Sequence, residues 1–252
     1  MIRLRMFTAA MFVTALVTAT ASEAAELRVV SGNGARSAIQ ELVRQFEQQS
    51  GHKVALHFEV NAALQRKIEA GEVFDVAVLN PPVLDALIKA GKVVADTRAD
   101  IGRAGLGVAV RAGAPKPDIS SVEAFKKALL ASKAVAFPGE GASGRYFVSV
   151  VERLGIAAEM KDKLKPMAAE DTVEVVARGE ADMVVVVATR ITGVEGVDRL
   201  GPIPAELQTV IGFAAGVATA AKEPEAGKAL VRFLSAPAAA ATLRAKGVDP
   251  AN

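Results

Sequence analysis

Three times in its first ninety residues the chain repeats one pattern: a short apolar run, a turn of small residues, then an amphipathic helix stopped by glycine. Leu27–Val30 is followed by the turn Ser31–Arg36 and by a helix from Ser37 to Ser50, with Ile39, Leu42, Val43 and Phe46 at helical spacing, ended by Gly51. Val54–Val60 leads to Asn61, read as a helix cap, and a helix carrying Leu64 and Ile68 up to Gly71. Phe74–Leu79 is nearly all apolar, as a strand buried on both faces must be, and Asn80-Pro81-Pro82 opens a helix closed by Gly91. Strands alternating with helices at this spacing give βαβ units, and hence a mostly parallel, right-handed sheet flanked by helices.

Leu106–Val110 is a further strand, and the break Ala112–Pro117 behind it, with prolines at 115 and 117, marks a crossing into a second lobe. There the alternation restarts: a helix over 122–130, a strand over 134–137, the turn Pro138–Arg145, a helix over 146–154, a helix over 172–178 and a buried strand Met183–Val187. The second break, Gly201-Pro202-Ile203-Pro204, returns the chain through Val210–Val217 to the first lobe, which ends in alanine-rich helices over 224–234 and 236–246. The expected fold is α/β and two-lobed, each lobe a mostly parallel sheet flanked by helices, with two hinge crossings. Residues 25–111 and 206–252 form lobe I, and residues 112–205 lobe II. At 252 residues and 51% hydrophobic content the chain can fill both cores.

Composition narrows the function. Charged residues are 23% and the net charge is +2, without a dense basic stripe, so no nucleic-acid partner is expected. Aromatics are 4%, with no Trp and one Tyr, which leaves few platforms for stacking sugars or bases. Arg3 and Arg5 precede an uncharged run from Met6 to Ala21, with small residues behind it. A positive start, a short apolar stretch and an A-x-A-like site predict a cleavable export signal over residues 1–24, and so a periplasmic protein. The absence of Cys rules out disulfides and a lipid-bearing cysteine, so packing alone must hold the exported fold.

In open α/β sheets ligands bind where strand ends run into helix starts. Three turns of small residues occupy such places: Asn33-Gly34-Ala35-Arg36, Asn61-Ala62 and Ser143-Gly144-Arg145-Tyr146. Helix starts offer unpaired N–H groups and partial positive charge, which suits a small anion, although any α/β fold also needs small residues in its turns. Arg36, Arg145 and Arg190 flank candidate loops, each able to grip a carboxylate through two parallel hydrogen bonds or to serve as a surface charge. Asn80 and Thr189 complete the candidate set, with Val187 at the end of its strand. His52 and His57 lack a metal-binding spacing, and no His follows Ser143, as a Ser hydrolase of the α/β type requires. No metal, cofactor or catalytic residue is therefore expected.

At these loops the chain resembles the periplasmic molybdate-binding protein family of ABC transporter receptors. The likeness runs through the first two strand–turn–helix units, Phe74-Asp75-Val76, Ala142-Ser143-Gly144-Arg145-Tyr146, Gly179-Glu180-Ala181-Asp182 and the closing Arg232-Phe233-Leu234-Ser235-Ala236-Pro237. It implies a type II periplasmic-binding-protein fold, a monomer that closes its hinge on a small anion, and a permease in the inner membrane as partner. The departures concern the ligand. Where that family offers hydroxyls to its oxyanion, this chain has Gly34, Asn61 and Val187. The reading that follows is a solute-binding protein, not an enzyme, that captures a small organic acid or oxyanion. Its alternatives are a molybdate or tungstate receptor proper, or a secreted enzyme on the same fold.

Overall fold

The computed structural model describes residues 24–251. The export segment expected at 1–24 lies outside them except for Ala24. The elements run β1 (Glu26–Gly32), α1 (Arg36–Ser50), β2 (Lys53–Glu59), α2 (Asn61–Glu69), β3 (Val76–Leu79), α3 (Pro81–Lys89), β4 (Ala99–Arg111), α4 (Val122–Ala131), β5 (Val135–Pro138) and α5 (Ala142–Arg153). They continue with α6 (Ala157–Met160), β6 (Leu164–Met167), α7 (Glu174–Ala177), β7 (Met183–Val187), β8 (Val197–Pro202), β9 (Val210–Val217), α8 (Pro224–Ser235), α9 (Ala240–Ala245) and β10 (Asp249–Pro250).

Strand order is β2-β1-β3-β9-β4-β7-β5-β6, with β8 and β10 pairing to β4. In the first lobe β1 lies parallel to both β2 and β3, and β9 is antiparallel to β3 and β4. In the second, β5 lies parallel to β6 and β7, while β7 and β8 run antiparallel to β4. The long strand β4 belongs to both lobes. Ala99–Gly105 pairs with β9, and Leu106–Arg111 pairs with β7 and β8. The first crossing therefore lies inside the strand, between Gly105 and Leu106, ahead of the proline-bearing break. The second runs between β8 and β9.

Burial explains why these segments form. All four residues of β3 and all five of β7 are buried, so each is packed on both faces. Helix α1 turns Ala38, Ile39, Leu42, Val43 and Phe46 inward, and α4 is capped by Ser121 Oγ, which accepts from Ala124 N at 3.2 Å. Buried Asp75 stitches the first lobe, accepting from the amides of Arg28 (2.8 Å), Lys222 (2.7 Å) and Glu223 (3.3 Å). One apolar cluster belongs mainly to each lobe, and a third, which includes Ala35, Val187, Ile191 and Phe213, draws on both. Among the described residues no helix is long and apolar enough to cross a membrane.

Some elements differ from the sequence reading. Strand β4 begins at Ala99 because pairing to β9 and β10 recruits a small, polar stretch with no apolar run of its own. β6 and β8 are half-exposed strands containing prolines, which weakens their pattern. The helix expected over 172–178 shrinks to α7, and the cap of α2 is Val60, since the Asn61 side chain is engaged elsewhere.

Candidate functional site

Where β1, β2, β3, β5 and β7 end, their following turns enclose a cavity of about 60 Å³ between the lobes. Room for one water takes about 10–15 Å³, so the space suits a small anion or one end of a larger one. Asn33, Gly34, Asn61 and Asn80 line it from the first lobe, and Glu140, Ser143, Val187 and Arg190 from the second. Helix α2 starts at Asn61 and α5 at Ala142, and each opens with N–H groups that have no partner inside the helix. The two starts face one cavity from opposite lobes, so their partial charges add.

The asparagines are partly committed. Asn61 Oδ1 accepts from Asn80 N at 2.8 Å, which leaves its amide nitrogen as the donor on that side. Asn80 Nδ2 donates to Gly212 O at 2.8 Å, and Asn33 Oδ1 accepts from Arg36 Nη2 at 2.6 Å. A wider opening of about 640 Å³ adjoins the cavity and shares Asn33, Val60, Glu140 and Ala169 with it. Arg36 lines this outer space, its guanidinium 4.4 Å from the ring centre of Phe58.

Both arginines are only partly satisfied. Arg190 Nη2 donates to Ala169 O at 2.9 Å and lies 4.0 Å from Glu174 Oε1. The Nε of Arg36 and the Nε of Arg190 are buried, and neither has an acceptor among the described residues. The Arg36 guanidinium is pushed below its ordinary value by burial first and then by the charge of Arg190, with Glu170 and Glu174 offsetting part of this. Two cations crowd one half-buried place.

The remaining sequence candidates fall outside the cavity lining. Arg145 points to solvent from the exposed side of α5. Tyr146 turns away, its hydroxyl donating to the carbonyls of Leu207 (3.1 Å) and Gln208 (3.2 Å) at the second crossing. Gly144 packs against the backbone carbonyl of Pro138 so closely that no side chain fits. Thr189 is buried and donates to the carbonyl of Gly34, and Ala35 is buried in the core behind its turn. Ala62 sits one residue into α2, off the lining. Of the histidines, His52 Nδ1 accepts from Ala25 N and His57 pairs with Glu59 on the surface.

Sequence reading missed Glu140, Phe58, Ala169 and Ile211 as neighbours of the site. Glu140 lies in the very turn that singled out Ser143, and its place ahead of a helix start was the available signal. Ala169 and Ile211 carry no local signal, because only the closed arrangement of β6 and β9 brings them to the cleft.

Two α/β lobes joined through a shared strand, with a small cavity between helix starts, define a type II periplasmic binding protein. The chain belongs to the bacterial extracellular solute-binding protein family, which it matches over residues 27–249. It is 31% identical over 230 residues to an aconitate isomerase from a Pseudomonas species, covering 89% of this chain and 87% of that protein. It is 27% identical over 238 residues to the molybdate-binding protein ModA of Azotobacter vinelandii, covering 91% and 92%. The solved periplasmic molybdate-binding protein of Azotobacter vinelandii superposes with a TM-score of 0.77 at 18% identity, covering 90% of this chain and all of that one.

Proposed function

We propose that the protein captures a small organic acid in the interlobe cleft and delivers it to an ABC transporter permease, acting as an exported monomer. The observation that carries this reading is Arg190, which lines the inner cavity between two helix starts with its Nε lacking an acceptor. A carboxylate presents two acceptor oxygens to such a donor set, and the fork of a guanidinium matches them. Val187 forms an apolar wall at the same cavity, which suits the carbon end of an organic acid better than a fourth oxygen of a tetrahedral ion. At Gly34 a side chain would meet Phe213 at 3.0 Å, so the turn offers its backbone and no hydroxyl. Titration calorimetry of ligand-stripped protein with carboxylates and with molybdate tests the reading. Carboxylate binding that disappears in Arg190→Gln supports it, and tight stoichiometric binding of molybdate alone overturns it.

A second reading, that the cleft also performs chemistry, is favoured by the isomerase among the relatives and by Glu140. Among the described residues Glu140 is the sole carboxylate lining the inner cavity. Moving a double bond within an unsaturated acid requires one C–H bond to break and another to form. A single carboxylate that takes the proton and returns it completes that step without any oxidant. Incubating the protein with cis- or trans-aconitate and following the vinyl protons by NMR tests it. Interconversion that is lost in Glu140→Gln supports the enzyme, and unchanged spectra leave a receptor.

A further inference from the structure

The carboxylate reading concerns the inner cavity, and the outer opening adds a second requirement that rests on that reading. Arg36 faces the outer space as Arg190 faces the inner one, and the two spaces adjoin through Asn33, Val60, Glu140 and Ala169. Each guanidinium spends one terminal nitrogen on the protein, and each keeps a buried Nε without an acceptor. A buried donor left unpaired is costly, and two of them beside mutually repelling cations form a strained pair. Three carboxylates also line the outer opening. Glu59 is held by Lys67 Nζ at 2.6 Å and by His57 Nε2 at 3.2 Å. Glu140 and Glu170 are exposed, so water screens them, whereas Arg190 is largely withdrawn from water and Arg36 is half-buried with its Nε fully covered. Glu174, 4.0 Å from Arg190 Nη2, offsets part of the cationic charge, and what remains unbalanced in the buried part of the cleft is positive.

We propose that the ligand carries at least two acid groups, one in the inner cavity at Arg190 and a second in the outer opening at Arg36, with its carbon chain passing Val60 and Asn33. The ring of Phe58 holds the Arg36 guanidinium in place from behind, and Asn33 Oδ1 fixes its orientation. Such a ligand neutralises both cations and ties the first lobe, which bears Arg36, to the second, which bears Arg190. A monoacid can do only half of this.

Calorimetry on the stripped full-length protein with propionate, succinate, glutarate and 4-aminobutyrate separates the cases. One diacid is expected to bind at least about tenfold tighter than propionate, as a second charge-assisted contact implies. Arg36→Gln should bring that diacid down to the level at which propionate binds the same variant, while Arg36→Lys should keep part of the difference. Should neither variant fold, the ligand comparison on the unmodified protein still decides. Equal affinities for propionate and both diacids overturn the inference while sparing the carboxylate reading. Tighter binding of 4-aminobutyrate than of either diacid overturns it too, and assigns the outer group to Glu140. A protein silent to every carboxylate defeats both this inference and the reading beneath it.

Discussion

The hydroxyl of Thr189, just beyond β7 in the second lobe, donates to the carbonyl of Gly34 in the first binding turn of the first lobe. The two residues are 155 positions apart in sequence, and their bond joins the lobes directly beside the inner cavity. A bond that spans the two lobes opposes their separation, so it adds to whatever closing force the ligand supplies.

Thr189→Val removes the hydroxyl and keeps the shape. A hydrogen bond of this kind is worth about 0.5–1.5 kcal/mol, so ligand affinity should fall roughly two- to tenfold. Small-angle scattering should show a more open unliganded protein, while the melting profile of the lobes themselves should change little.

At the hinge, Gln208 caps the point where β4 changes sheets. Its Oε1 accepts from Leu106 N at 2.7 Å and its Nε2 donates to Leu106 O at 3.0 Å. Gln208→Ala takes the side-chain acceptor from the N–H of fully buried Leu106 and leaves its carbonyl with the Ile203 N–H alone (3.2 Å), and should cost about 1–3 kcal/mol in urea denaturation. Gln208→Glu, which keeps the acceptor and loses the donor, should cost less.

Gly144 is required by space rather than by ligand contact. A methyl group there would collide with the backbone carbonyl of Pro138, which cannot move without displacing β5. Gly144→Ala should therefore lower stability by about 2 kcal/mol or more and reduce soluble yield, as overpacking against a fixed backbone does.

Molybdate should bind in the micromolar range or weaker. Where the molybdate-binding family offers hydroxyls, this cavity presents Gly34, Asn61 and Val187, of which only Asn61 keeps a side-chain donor, and each of the two lost partners costs an anion about 1–3 kcal/mol. Calorimetry with molybdate on stripped protein checks this, and a nanomolar isotherm would show that backbone donors suffice.

Cleavage after Ala24, or after Ala21 as the next choice, should release a chain beginning at Ala25 or Ser22. Mass spectrometry of the exported protein checks it, and retention of Met1 would refute it.

Local chemistry in the sequence carries the helices and the interior strands. Ile39, Leu42, Val43 and Phe46 mark the inward stripe of α1, and the valines of β7 can only be a strand packed on both sides. The turns that open α1, α2 and α5 are likewise visible as small residues ahead of helical patterns, and seven of the fifteen residues lining the inner cavity are candidates on sequence alone. Where local pattern fails is at β4, whose first half is a strand because β9 and β10 pair with it, and at the arginines. Arg36, Arg145 and Arg190 look alike in sequence, each beside a small-residue turn. Helix phase sends Arg145 to water, while the packing of the two lobes places Arg36 and Arg190 on adjoining spaces with a buried nitrogen in each. A sequence sets which residues can bind an anion. Which of them share one desolvated cleft depends on contacts between chain segments more than a hundred residues apart, and only the tertiary structure fixes those.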